Sequence, residues 1–274
     1  MTGESSVWRI RFRLAVDRWR GDGRTLYSPS HSLFFQLLST GSGEAARSVH
    51  DARGRKPFAL SPLRVSPRGG MGVAEWTVAV WGPLVTAMEG SLEAALRFTG
   101  DVLGHRVAIV EARPDPKVAI ADLGAAGAAA ASVEVEFLSP TFFSFGRRFG
   151  RQQYELLPLP ELVVGSWAAA WCSAGGTLPA PMPEEAFREW LGERVAVRSI
   201  EGLHTVTVDG GETALTGFLG TVRYAWIGPE PWGPGLLAAL ARFASYAGTG
   251  AKTGHGFGLT AFQGGSETRA GLVW

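Results

Sequence analysis

Two runs of regular hydrophobic spacing, one in each half of the chain, follow the same order of strand, helix, strand, strand, helix, strand, and nothing else narrows the fold as far. From Trp8 to Val16, Ile10, Phe12 and Leu14 alternate with Arg9, Arg11 and Arg13, which predicts a half-buried strand with an arginine-studded face. Ser30 to Leu38 reads as a serine-capped helix burying Leu33, Phe34, Leu37 and Leu38. Strands are predicted at Phe58–Val65 and Trp76–Trp81, a helix at Val85–Phe98 and a strand at Arg106–Glu111. The second run has a strand at Val133–Leu138, a helix at Pro160–Cys172, strands at Leu203–Val208 and Leu215–Ala225, a helix at Leu236–Tyr246 and a strand at Phe257–Phe262.

This order is that of a split βαβ unit, so the expected class is α+β with two tandem ferredoxin-like (RRM-like, βαββαβ) domains. The expected boundaries are residues 1–121 for the first domain, 122–132 for a linker rich in alanine and glycine, and 133–274 for the second domain. A short surface helix is the alternative for the linker. A length of 274 residues suits two domains with their own cores, and 46% hydrophobic against 19% charged residues excludes a disordered chain. No residue-level repeat links the halves, so the duplication is architectural.

A net charge of +1 supplies no protein-wide field for nucleic acid, so any such binding must use local patches. The single cysteine, Cys172, excludes an internal disulfide and makes the reducing cytoplasm the simplest compartment. No signal-like apolar core opens the chain and no stretch reaches the ~20 apolar residues that span a bilayer, so neither export nor membrane insertion is expected.

After the last predicted helix come Gly248, Gly250, Gly254, Gly256 and Gly258, spaced as G-x-G, five residues, G-x-G, with Lys252 between. Glycine can bring its N–H close to an anion, so the spacing suits a phosphate chain, with Lys252 as a point charge. It is not a nucleoside-triphosphate loop, because Ala251 separates Gly250 from Lys252 and the helix precedes the loop. Nor is it a dinucleotide fingerprint, which must follow a strand and open a helix. The alternative is that the glycines only shape a tight connection between helix and strand.

Four segments resemble the CRISPR-associated endoribonucleases that process precursor CRISPR RNA, members of the repeat-associated mysterious protein (RAMP) superfamily. FASYAGTGAKTGHGFG, Phe243 to Gly258, resembles the family's C-terminal glycine-rich signature, and TGFLGTVRY, Thr216 to Tyr224, the strand before that helix. FLSPTFF, Phe137 to Phe143, is similar to the opening of the second domain, and VHDARGRKPFALSPL, Val49 to Leu63, to the histidine-bearing segment of the first. The resemblance implies two ferredoxin-like domains and metal-independent, sequence-selective cleavage of CRISPR repeat RNA in the precursor. Attack by the 2′-hydroxyl would leave a 2′,3′-cyclic phosphate and a 5′-hydroxyl, with no cofactor and no metal, producing mature guide RNAs. A homodimer and association with a CRISPR effector complex stay open as further partners.

Such chemistry needs a base for the 2′-hydroxyl, an acid for the leaving 5′-oxygen and a cation for the phosphate. His50 is the first acid/base candidate, and Lys56 matches a lysine at the same spacing in some members. His31 is a second acid/base candidate or a capping residue. Some members carry a tyrosine on this helix, where this chain has Phe34 and Phe35, and the nearest tyrosine is Tyr27. The third role is therefore open among Tyr27, His31 or no side chain. The RNA-contacting candidates are Gly248, Gly250, Lys252, Thr253, Gly254, His255, Gly256 and Gly258 on the loop, with Arg147, Arg148 and Arg151 interleaved with Phe145 and Phe149. Solvated loop residues are the alternative for each, and a solvated sheet face is the alternative for Arg9, Arg11 and Arg13. His105 and His204 look structural or exposed, and the five histidines with one cysteine form no zinc pattern. The competing functions are a non-catalytic RNA-binding RAMP subunit of an effector complex and a small-molecule enzyme on the same scaffold.

Overall fold

Alternation at the start of the chain produces the central strand of the first sheet, as the arginine pattern requires. The computed structural model describes residues 5–19, 22–52, 54–125, 131–179, 184–211 and 213–263. The first half runs β1 (Ser6–Val16), β2 (Arg24–Leu26), α1 (Ser28–Gly41), α2 (Gly43–Asp51), β3 (Phe58–Leu60), β4 (Leu63–Arg68), β5 (Met71–Trp81) and α3 (Leu84–Ala94). A single 3-10 turn, Ala95–Arg97, then leads to β6 (Thr99–Val102), β7 (His105–Pro114), β8 (Val118–Ala119) and α4 (Ile120–Ala125). The second half runs β9 (Ser132–Thr141), β10 (Phe143–Arg148), β11 (Arg151–Glu155), α5 (Pro160–Ser173), α6 (Glu184–Gly192), β12 (Val195–Asp209), β13 (Ala214–Trp226), α7 (Gly233–Ala247), a 3-10 turn at Thr253–His255 and β14 (Thr260–Phe262).

The main path of the first sheet is β2-β4-β5-β1-β7-β6, and the second sheet is β12-β13-β9-β14. Both place the first and third main strands at the centre, flanked by the second and fourth, and every pairing is antiparallel. The fold is two ferredoxin-like units, as the order of elements predicts. Of the expected connection at 122–132, residues 122–125 complete α4, whose Ile120 and Leu123 are buried, and residues 126–130 lie outside the described residues.

The structure differs from the expected elements in several places: β2, β6, β8 and α6 are additional, the expected strand Leu203–Val208 lies within the longer β12, and only Thr260–Phe262 of the expected Phe257–Phe262 is strand. Phe58–Val65 is not one strand: it breaks after Leu60, where Pro62 lacks an N–H for the ladder and Ser61 bonds back to Thr77. Helix α2 is an additional element, started by Ser42, whose Oγ accepts from the Ala45 N–H at 3.1 Å. The stretch Phe143–Arg151, expected as a loop if not an RNA contact, forms most of the β10–β11 hairpin.

Each unit has its own core, yet they are joined. The first is built on Ile10, Phe12, Leu14, Phe34, Leu37 and Trp76. The second includes Trp167, Phe218, Tyr224 and Phe243, but also Val7, Ala59 and Trp81 from the first half. Helix α7 lies against β1, β3 and β5 as well as against its own sheet. Trp81 meets Phe243 edge-on at 5.8 Å and donates its indole N–H to Ser173 Oγ at 3.1 Å.

The arginine face of β1 is divided between the fold and solvent. Arg9, 8% exposed, lies 4.4 Å over the Tyr246 ring and donates to the Ser245 carbonyl, so it joins β1 to α7. Arg11 pairs with Asp115, and Arg13 stands opposite Glu75 and Glu111 on the neighbouring strands. Arg9 is thus used inside the fold, whereas Arg11 is half-exposed and Arg13 is exposed, as on a solvated sheet face.

The glycine-rich connection between α7 and β14 is folded onto its surroundings. The Thr249 N–H donates to the Gly258 carbonyl at 2.7 Å, and the Gly258 N–H donates to Pro140 at 3.1 Å. Thr249 Oγ1 accepts from the Trp167 indole at 2.7 Å and lies 2.6 Å from Thr260 Oγ1. Gly258 has φ of +69°, and a Cβ there would fall on the Thr249 carbonyl oxygen. Gly258→Ala is therefore expected to cost about 1–3 kcal/mol or more, because neither backbone partner can yield. Gly235→Ala, on the first turn of α7 with open space around its Cα, is expected to be neutral or slightly stabilising. Urea midpoints of the two variants check this pair.

Candidate functional site

Helices α1 and α2 follow each other directly, and their adjacent ends set two imidazoles around one phenylalanine. His31 from the first turns of α1 meets the Phe35 ring edge at 5.0 Å, and His50 near the end of α2 meets the same ring at 5.4 Å. Phe35 is one α-helical turn after His31, which places the two on one side of α1. Phe34, on the buried side, stacks on Phe58 at 4.1 Å and fixes the rotation of the helix.

The second half completes this arrangement. His31 Nδ1–H donates to the Gly254 carbonyl at 2.9 Å, which leaves Nε2 as the ring's proton acceptor. The His255 imidazole stacks on His31, centroids 3.9 Å apart and planes within 8° of parallel. Close approach makes this contact available: at Gly254 a Cβ would lie 2.8 Å from Phe58, and at Gly256, with φ of +93°, one would lie 2.7 Å from the Pro62 nitrogen. Arg55 holds the same junction, donating to Ser166 O at 3.0 Å, Ser166 Oγ at 3.2 Å and the Ala247 carbonyl at 3.3 Å.

The histidines occupy different environments. Burial holds the His31 imidazole below the usual histidine range, partly opposed by its hydrogen bond to Gly254 and reinforced by the His50 and Lys56 charges. Burial pushes His255 further, to about 4, with His31 and Lys252 acting in the same direction. Both stacked rings are therefore neutral at neutral pH. His50 is 69% exposed and sits 3.2 Å from Asp51 Oδ1.

Lys56 lies beneath His50, donating to the carbonyls of Val49 at 2.7 Å, His50 at 2.6 Å and Ala52 at 2.6 Å. All three ammonium protons are thus directed at the C-terminal carbonyls of α2, where a cation also complements the helix dipole. Its position holds the end of the helix that carries His50.

Tyr27 is placed elsewhere. It is 7% exposed and stacks on Phe257 at 4.6 Å within a small cluster that also contains Phe142 and Leu215, and burial raises its pKa. The glycine loop directs most of its backbone inward: the N–H groups of Gly248, Gly250, Ala251, His255 and Gly256 donate to Ala244, Ser166 Oγ, Phe142, Lys252 and Thr253 respectively. That arrangement matches the tight-connection alternative for the glycines. Thr253 is buried, whereas Lys252 is exposed, with φ of +56°.

The hairpin β10–β11 pairs Arg148 with Arg151 and Arg147 with Gln152. Arg147 and Arg151 are exposed, as are Phe145 at 56% and Phe149 at 91%, so cations and aromatic faces share one projecting ribbon. Sequence reasoning missed Phe35 as the spacer between imidazoles and Arg55 as the junction clamp. The signal for Arg55 was its place beside Lys56 in a short loop. Among the described residues, no three His, Cys, Asp or Glu side chains converge as metal ligands would, and no helix is long and apolar enough to cross a membrane.

A family model described as CRISPR-associated endoribonuclease Cas6 matches residues 135–260. Among solved structures, the product complex of Cas6 (TTHB231) from Thermus thermophilus is 26% identical with a TM-score of 0.74, covering 94% of this chain and 99% of that one. The product complex of Cas6 (TTHA0078) is 30% identical with a TM-score of 0.71, covering 93% of this chain and 99% of that one. A Cas6-related protein from Pyrococcus furiosus, 13% identical with a TM-score of 0.59 over 93% of this chain and 98% of that one, shares the fold. No curated protein matches.

The half-buried imidazoles make stability depend on pH. Because the folded pKa of His255 lies below its unfolded value, the unfolded chain binds more protons between about pH 6.5 and pH 4. Stability is therefore expected to be complete above pH 6.5 and to fall as the pH is lowered through this window, with His31 contributing in the same direction. Calorimetric melting across this range checks the expectation, and His255→Phe should flatten the slope.

Proposed function

This chain belongs to the Cas6 family of CRISPR-associated endoribonucleases, and from that premise we propose that it cuts CRISPR repeat RNA by metal-independent attack of a 2′-hydroxyl. The observation that carries this reading is the pair of imidazoles flanking Phe35, one partly buried and neutral, the other open to solvent. Two such groups are what proton transfer to and from opposite sides of a phosphate requires.

His31 is the base. Its Nε2 accepts the proton of the 2′-hydroxyl upstream of the scissile phosphate, and that oxygen forms a bond to phosphorus while the bond from phosphorus to the 5′-oxygen breaks. His50, as imidazolium, donates its proton to the leaving 5′-oxygen. The products are a 2′,3′-cyclic phosphate and a 5′-hydroxyl, and proton exchange with water resets both rings. Lys56 orients His50 through the end of α2 and places a positive charge near the phosphate.

RNA contacts are assigned to the hairpin, through Arg147 and Arg151 with the faces of Phe145 and Phe149, and to Lys252 on the loop, while the Arg148 side chain lies outside what the structure describes. The solved relatives support this reading, since they include product and substrate-mimic complexes of Cas6. The glycines act in this reading by bringing the Gly254 carbonyl and His255 to His31.

A repeat RNA carrying a 2′-deoxy nucleotide just upstream of the cut should resist cleavage, while the all-ribose RNA is cut in excess EDTA; normal cutting of the deoxy substrate rules out 2′-hydroxyl attack. Single-turnover rates of His31→Ala and His50→Ala should fall by about two orders of magnitude or more with repeat binding nearly unchanged. Binding without cleavage by the unmodified protein would favour a non-catalytic subunit instead. Removing Arg147, Arg151 or Lys252 should weaken binding more than chemistry and lower the slope of log affinity against log salt by about one per phosphate contact, measured by titration at several salt concentrations.

A further inference from the structure

We propose that His255 is a positioning residue for RNA cleavage, its flat ring holding His31 in the orientation that presents Nε2 to the 2′-hydroxyl. The proposal rests on the reading of His31 as the base. Its geometry comes from two independent contacts delivered by one turn of the second unit: the Gly254 carbonyl 2.9 Å from His31 Nδ1, and the His255 ring stacked 3.9 Å from the His31 ring and almost parallel to it.

The two contacts restrict different motions. A single hydrogen bond at Nδ1 selects the tautomer but lets the imidazole swing about the bond, moving Nε2 along an arc. A parallel ring on one face stops that swing. Phe35 meets the His31 ring at 68°, and Phe58 lies 6.0 Å away. His31 is therefore held in a slot formed by Phe35 and Phe58 from the first unit and by Gly254 and His255 from the second.

The neutral state of His255 suits this task. When His31 takes the 2′-hydroxyl proton it becomes a cation, and a second imidazolium stacked on it would oppose that step. A neutral aromatic face does not, and a cation beside such a face is favourable. His255 thus supports both the orientation of the base and its charged form without touching the reacting atoms.

The test compares His255→Ala, His255→Phe, His31→Ala and the His31→Ala/His255→Ala double variant, measuring single-turnover cleavage and repeat RNA affinity for each. His255→Ala should cleave roughly ten- to hundredfold more slowly, the penalty of a misplaced catalytic group, with affinity unchanged. His255→Phe keeps a flat neutral ring and should return to within about threefold of the unmodified rate. The double variant should be no slower than His31→Ala, because a residue that acts only through His31 has no effect once His31 is gone. Full activity of His255→Ala beside a slow His31→Ala overturns the proposal and leaves His31 as the base. A His255→Phe variant as slow as His255→Ala overturns the stacking role. Full activity of His31→Ala overturns both this proposal and the assignment of the base.

Discussion

Helix α7 and the turn that follows it are pressed against the sheet of the other unit, and the candidate site exists only because they are. Trp81 is buried in the second unit's core, Arg9 bridges to Ser245 and Tyr246, and Arg55 reaches Ser166 and the end of α7. Burial of Val7, Ala59 and Trp81 contributes to the attraction, since apolar area removed from water is worth about 25 cal/mol per Å². The two arginines contribute specificity of position more than net energy, because a buried guanidinium must recover its lost hydration through hydrogen bonds. Once the units are docked in this register, Gly254 and His255 have no choice but to meet His31.

That docking also explains why two histidines next to one phenylalanine behave differently. His31 is covered by the turn from the second unit, so water is scarce around it and its charged form is disfavoured. His50 lies one helix away, beyond the edge of the turn, and stays in contact with solvent. The same junction therefore gives the site one neutral, shielded imidazole and a second that is open to solvent. Lys56 maintains the second position by holding the last carbonyls of α2.

How much of this could be read in advance varied from element to element, for physical reasons. Strand β1 and helices α5 and α7 were legible because their apolar residues recur at the period of the structure they form. Helix α2 was missed because it buries a single side chain, Ala46, so it has almost no apolar stripe to detect. The β10–β11 hairpin was missed because its strands are mostly exposed and interrupted by glycine, leaving no alternation. The arginine face of β1 was correctly placed on one side of a strand, but nothing local says that α7 will cover Arg9 or that acidic residues on β5 and β7 will stand opposite Arg13. Among the site residues, His31 and His50 could be proposed from chemistry, whereas Phe35 between them read only as a departure from an expected tyrosine.

The sequence by itself determined the class of fold, the order of elements in both units and the short set of residues able to move a proton near neutral pH. Those follow from the spacing of apolar side chains and from the intrinsic acidity of imidazole, which are properties of neighbours along the chain and of single residues. Only the tertiary structure decided that His31 is bonded to a carbonyl 223 positions away, that His255 lies on its face, that Lys56 is turned toward a helix end and that the glycines serve a packed turn. Proton acidity, ring orientation and the direction of each N–H depend on which distant groups exclude water from one another, and that is settled when two sheets and the helix between them close on a common core.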